Sequence, residues 1–124
     1  MTYTLIADGS AIMESLFVGA TQENMVTVYS ISNGNTVLTH YCSMGNQPRM
    51  KLNGSKSTEA KLVFSYIDAT NVKSDRAPRM HDLTLILSDK DHFSQEWTLK
   101  ADRASTVASY AFERVRTSAE PSGW

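Results

Sequence analysis

Short runs of alternating apolar and polar residues, separated by turn signals, make up most of this chain. "TYTLIA" (Thr2–Ala7) is followed by Asp8-Gly9, a dipeptide suited to tight hairpins because both central residues of a type I′ turn need positive φ. "SAIMESLF" (Ser10–Phe17) comes next. "MVTVYSIS" (Met25–Ser32) alternates and stops at Asn33-Gly34-Asn35, a second hairpin signal, and "TVLTHYCSM" is its return strand. "GNQPRM" and "KLNGSKSTEAK" read as loop. "LVFSYIDA" is a strand, "TNVKSDRAPR" a loop, "MHDLTLILS" a strand, "DKD" a tight turn and "HFSQEWTLKA" its return.

That makes seven strands in consecutive antiparallel pairs. The spacing is that of an all-β barrel or sandwich. "ASTVASYAFERVR" fits two patterns. Ala104, Val107, Ala108 and Ala111 suit a helix stripe behind Asp102 as N-cap, whereas Tyr110, Phe112 and Arg114 suit a strand. The strand is favoured, because it supplies an eighth member to close an up-and-down barrel. "SAIMESLF" carries the same ambiguity. The pattern predicts one domain over residues 1–118 and a loose tail over 119–124.

Strand phase sorts side chains into faces. Phe93, Gln95, Trp97 and Leu99 share one face, and Ile12, Glu14 and Leu16 share another. His81 falls in phase with Leu83, Leu85 and Leu87. Leu38, His40 and Cys42 oppose Val37, Thr39 and Tyr41, with neither set clearly the inner one. A single polar residue flanked by apolar ones recurs at Glu14, His40, His81 and Gln95. A buried polar group without a partner costs a few kcal/mol. Four such groups meeting inside an apolar barrel would make the usual anatomy of a small-molecule pocket.

Composition changes this picture little. The chain has 124 residues, 41% hydrophobic and 20% charged, as in an ordinary globular domain. Its net charge of −1 supplies no overall field to gather nucleic acid or an anionic membrane. A single cysteine makes no internal disulfide and no cysteine-rich zinc site. No Lys or Arg precedes Arg49, so neither a signal peptide's basic start nor an Arg-rich transit peptide is expected. No apolar run approaches the ~18 residues of a membrane helix. The expected location is the cytoplasm. Arg49 to Arg79 holds seven basic and three acidic residues, which read as solvated loops and strand edges more readily than as an anion-binding patch.

The candidate chemistry centres on "LTHYCSMGNQPRM" (Leu38–Met50). His40, Cys42 and His81 would be a nitrogen–sulfur–nitrogen metal set, but nothing in the spacing fixes it, and no metal or other cofactor is expected. His40 and Cys42 sit two residues apart on one strand, ~6.6 Å along it, too far for a nucleophile–base pair. Glu14 and His81 are the candidates for general acid–base work, since apolar surroundings shift pKa values. The plainer alternative is a structural Glu–Arg or Glu–His pair. Pro48 pushes Gln47 towards extended geometry, and Asn46 and Gln47 can shape the loop by bonding its backbone. Arg49 is a planar fork for a carboxylate or phosphate, or else the partner of a structural acid such as Glu14 or Asp68.

"MVTVYSISNGNTVLTHYCSMGNQPRM", with "DATN" (Asp68–Asn71), "MHDLTL" (Met80–Leu85) and "DHFSQEW" (Asp91–Trp97), resembles an uncharacterised bacterial family with a lipocalin-like, calycin-type β-barrel. The resemblance runs from about Tyr3 to Arg116. It implies an up-and-down antiparallel barrel with an internal cavity, and no assigned activity. Such proteins begin with a further strand, carrying a Gly-x-Trp element, ahead of the position of "TYTL". Here Met1 stands almost at that strand. The first wall is therefore expected to be open, and a homodimer is expected to cover it.

The leading expectation is a small-molecule-binding barrel for an apolar or aromatic ligand with a polar head. Polar contacts fall to Arg49, His40 and His81, helped by Cys42, Asn46, Gln47, Asn71 and Gln95. Tyr41, Phe64, Tyr66 and Trp97 are the candidate walls. The alternatives are an enzyme using Glu14 or His81 as acid or base, and an oligomerisation domain with no ligand.

Overall fold

The computed structural model of the chain describes residues 1–16 and 24–115. Nine strands follow one another in chain order: β1 (Thr2–Ile6), β2 (Ala11–Leu16), β3 (Met25–Ser32), β4 (Asn35–Tyr41), β5 (Gln47–Leu52), β6 (Lys61–Thr70), β7 (Arg79–Asp89), β8 (His92–Ala101) and β9 (Ala104–Glu113). Every neighbouring pair is antiparallel, and spatial order equals sequence order. The sheet curls into a half-barrel with two outer edges, β1 and β9, that pair with no other strand among the described residues. The all-β, up-and-down reading of the sequence holds. The final segment is a strand, and "AIMESL" is another. The predicted tail 119–124 lies outside the described residues.

The hairpin signals act as their chemistry requires. Ser32 pairs with Asn35, so Asn33 and Gly34 form a two-residue turn, both at positive φ (51° and 78°). The Asp8-Gly9 turn is longer, spanning Ala7 to Ser10 between Ile6 and Ala11, with Ala7, Asp8 and Gly9 all at positive φ.

One strand escaped the sequence pattern. "QPRMKL" forms β5, a strand rather than a loop, with Pro48 and Met50 buried and Arg49 and Lys51 exposed. A proline in a strand flanked on both sides normally removes a ladder bond. Here the β4–β5 ladder covers only Val37–Thr39 against Arg49–Lys51, so Pro48 lies beyond it.

The core fills the concave face. Leu38, Met50, Phe64, Leu83 and Trp97 form its buried cluster, and Tyr29, Leu52, Leu62, Met80, Leu85 and Tyr110 pack against it. Phe64, Leu83, Trp97 and Ala108 lie on one cross-strand row from β6 to β9. Register shifts interrupt the ladders at Ile67, at His81 and at Ser88. The second one changes a sequence expectation. Met80 opposes Leu99 and Asp82 opposes Thr98, which leaves His81 as the extra residue of a bulge. Met80 thereby joins the core, and His81 leaves the phase of Leu83.

Candidate functional site

The concave face carries a chain of polar contacts embedded in the apolar core. Glu14 on β2 is 1% exposed. Its Oε2 accepts hydrogen bonds from the Tyr3 hydroxyl on β1 (2.6 Å), the Tyr29 hydroxyl on β3 (3.0 Å) and Nε2 of Gln95 on β8 (2.9 Å). The Gln95 Oε1 in turn accepts from the indole N–H of Trp97 at 2.9 Å. Trp97 lies against His40, with ring centroids 4.5 Å apart, and Nδ1 of His40 is 2.8 Å from Oγ1 of Thr27. Three of the four polar residues predicted to meet, Glu14, His40 and Gln95, thus lie along one connected set of side chains. His81 does not join them.

The electrostatics follow from burial. Desolvation raises the Glu14 carboxyl above its usual range, although the three donors pull the other way. Desolvation, followed by the Glu14 charge, raises both Tyr3 and Tyr29, so both phenols stay protonated donors. His40 is driven down to about 4 by burial. Its Nε2 has no hydrogen-bond partner among the described residues, so nothing opposes that desolvation. At neutral pH His40 is a neutral imidazole.

The remaining predicted residues fall into three groups. The first joins the turn after β4 to the loop before β7. Asn46, buried, donates from Nδ2 to the Pro78 carbonyl, and Oε1 of Gln47 accepts from Thr70 and Asn71. Cys42 belongs to the same turn, its N–H bonding the Asn46 carbonyl. In the second, the Tyr66 ring stacks on His81 at 4.4 Å with the Arg79 guanidinium over its face, and Nδ1 of His81 is 2.7 Å from Oδ2 of Asp82. In the third, Arg49 makes a two-pronged ion pair with Asp68 (2.7 and 2.6 Å) between directly opposed positions of β5 and β6. Hydrogen bonding to Arg49 holds the Asp68 carboxyl below its usual range. This pair is half exposed, and the acid that Arg49 engages is Asp68 rather than Glu14. Tyr41 is 49% exposed and forms no part of the concave wall, whereas Phe64 and Trp97 are core.

An open groove of about 660 Å³ lies where β1 approaches the β7–β8 turn and the end of β9. Its apolar lining is Met1, Tyr3, Leu87, Phe93, Phe112 and Val115. The rings of Tyr3 and Phe93 are 6.1 Å apart, and those of Phe93 and Phe112 stack at 5.1 Å. Tyr3 joins the two features: its ring lines the groove and its hydroxyl is bound to buried Glu14. Charged groups rim the opening. His92 pairs with Asp89, which raises the imidazole's pKa through that hydrogen bond, and Arg114 lies 3.3 Å from Asp91. The ammonium of Lys90 has no partner among the described residues.

The sequence reading missed Tyr3, Tyr29 and Thr27 as partners of Glu14 and His40. Part of the signal was present, because the two hairpin turns set Tyr3 directly opposite Glu14 and Thr27 directly opposite His40. Among the described residues no group of three His, Cys, Asp or Glu side chains is arranged to hold a metal ion, and no helix is long and apolar enough to cross a membrane. The fold defines the class of antiparallel up-and-down sheets curled towards a barrel. No family model, curated protein or solved structure matches the chain.

Proposed function

We propose that the chain is a small-molecule-binding, barrel-like β protein whose site is the groove between β1 and the β8–β9 edge. The observation that carries this reading is the run of adjoining rings Tyr3, Phe93 and Phe112, the first pair tilted and the second stacked, lining an opening of about 660 Å³. That volume suits a small organic ligand, and apolar walls with a few polar groups are what such sites consist of. The ligand is a planar, apolar molecule with an anionic head. Its rings lie along the aromatic lining, and its head meets Lys90, the rim cation not already engaged by an acid. This moves the polar contacts from the stretch around Arg49 to the seam of the sheet. It keeps the ligand class expected from the sequence, an apolar or aromatic molecule with a polar head.

Acid–base catalysis by Glu14 is the weaker reading. Its Oε2 is occupied by three protein donors, which supports a structural role at the seam. His81 is held by Asp82 and Tyr66, and neither is a partner of Glu14.

The test is a fluorescence titration with 8-anilinonaphthalene-1-sulfonate, an aromatic probe with an anionic head, monitored alongside near-ultraviolet circular dichroism. Saturable binding to the folded protein, weakened by both Phe112→Ser and Lys90→Glu, is the expected result. Binding that neither substitution changes, or no binding, would remove the proposal.

A further inference from the structure

The last strand ends the sheet in a way that fits a second copy of itself. β9 pairs with β8 over ten consecutive positions, from Ala101↔Ala104 to His92↔Glu113, and its other edge has no strand partner among the described residues. An exposed strand edge is ordinarily protected by charge, by proline or by a bulge that twists it away. β9 has none of these along Ala104–Phe112: the run is "ASTVASYAF", with no charged residue, no proline and no register shift against β8. Its outward side chains are exposed, Val107 at 58%. Charges appear only at the ends, with Asp102 and Arg103 before the run and Glu113 and Arg114 after it.

Two copies of one edge can pair antiparallel only if opposed residues point their backbone groups the same way. In a strand those groups alternate, so opposed positions must share parity. This rule leaves few registers. Centring the two-fold axis on Ala108 sets Arg103 of each copy against Glu113 of the other, and Asp102 against Arg114. Moving the centre by one residue in either direction loses both matches: Arg103 then meets Ala111 or Val115. Arg103 is exposed and has no ion-pair partner among the described residues, and Glu113 makes only a long contact with His92 at 3.9 Å. In the Ala108 register Val107 is flanked by Ser109 of the other copy, while Tyr110 faces Thr106 and Phe112 faces Ala104. The half-buried inner faces of these two aromatic side chains are then covered.

We propose that the protein self-associates through β9, forming a two-fold antiparallel pair centred on Ala108 and held in register by reciprocal Arg103–Glu113 ion pairs. Backbone hydrogen bonds supply the attraction, and the end charges select the register and the like partner. The pairing extends one curled sheet into the next.

A charge-reversal cycle tests this on the full chain by sedimentation equilibrium at several concentrations and low salt. The wild type is expected to show a concentration-dependent monomer–dimer equilibrium. Arg103→Glu and Glu113→Arg should each weaken it by about tenfold or more, since two attractive pairs become repulsive. The double variant R103E/E113R should restore it. Circular dichroism of each variant separates loss of association from loss of fold, both positions being exposed turn or strand-end sites. A monomer at all concentrations, or a dimer that neither single reversal weakens, would overturn the proposal, as would single-variant losses that the double variant fails to recover.

Discussion

Gln95 reaches across the interior to Glu14, Nε2 to Oε2 at 2.9 Å, although 81 positions separate the two in sequence. β2 and β8 do not pair, so this contact spans the concave side of the sheet. Together with the Tyr3 hydroxyl it ties the first hairpin to the eighth strand where no backbone ladder does so. The half-barrel is thus drawn together by side chains, and the groove opens beside that tie.

Glu14→Ala and Glu14→Gln should therefore behave very differently. The alanine leaves two phenols and an amide without their common acceptor, and should destabilise by about 2–4 kcal/mol in urea unfolding. The glutamine keeps a carbonyl acceptor and relieves the desolvation of a charge, so it should be neutral or stabilising at pH 7. A glutamine variant as unstable as the alanine would show that the ionised form is what holds the seam.

His40 predicts a pH dependence with a definite sign. Its folded pKa lies at about 4 against an ordinary 6.5, so below pH 6.5 the unfolded chain binds the proton first. Stability is therefore present above pH 6.5 and lost as pH falls towards 4, by about 3 kcal/mol at most. Glu14 acts in the opposite sense. Its pKa is raised on folding, so the contribution of its protonated form is full at low pH and fades as pH rises through its folded value. His40→Phe should flatten the loss between pH 6.5 and 5, measured as the slope of unfolding free energy against pH. An unchanged slope would mean that His40 takes up its proton without unfolding.

Arg49→Ala should change stability by less than about 1 kcal/mol, because its pair with Asp68 is half exposed and screened. It should leave probe binding at the seam unaltered. A tenfold loss of binding in this variant would return the site to the stretch around "GNQPRM".

Trp97→Ala should cost about 3–5 kcal/mol. Trp97 is 2% exposed, sits in the core cluster, and its N–H satisfies Gln95. Thermal denaturation with a loss under 1 kcal/mol would contradict the assignment of this face as the interior.

The legible parts of the fold were those set by local chemistry. Asn33-Gly34 specified its turn, and alternation along "HFSQEWTLKA" gave β8 its bounds and placed Gln95 between Phe93 and Trp97 on the buried face. β5 was hidden because Pro48 and two cations masked the Pro48–Met50–Leu52 alternation. His81 was misphased because a bulge shifts the period by one residue and leaves no mark in composition. Glu14, His40 and Gln95 stood out as polar residues on apolar faces, but their partners depend on how the sheet curls. The contact from Tyr3 and Glu14 to Gln95 joins non-adjacent strands, and no local pattern encodes it.

The most direct test of the seam groove is an amide nuclear magnetic resonance titration of the full chain with 8-anilinonaphthalene-1-sulfonate. Saturable shifts concentrated at Tyr3, Leu87, Lys90, Phe93 and Phe112 are the predicted result. Shifts centred instead on Asn46, Gln47 and Asn71, or no saturable shifts at all, would contradict it.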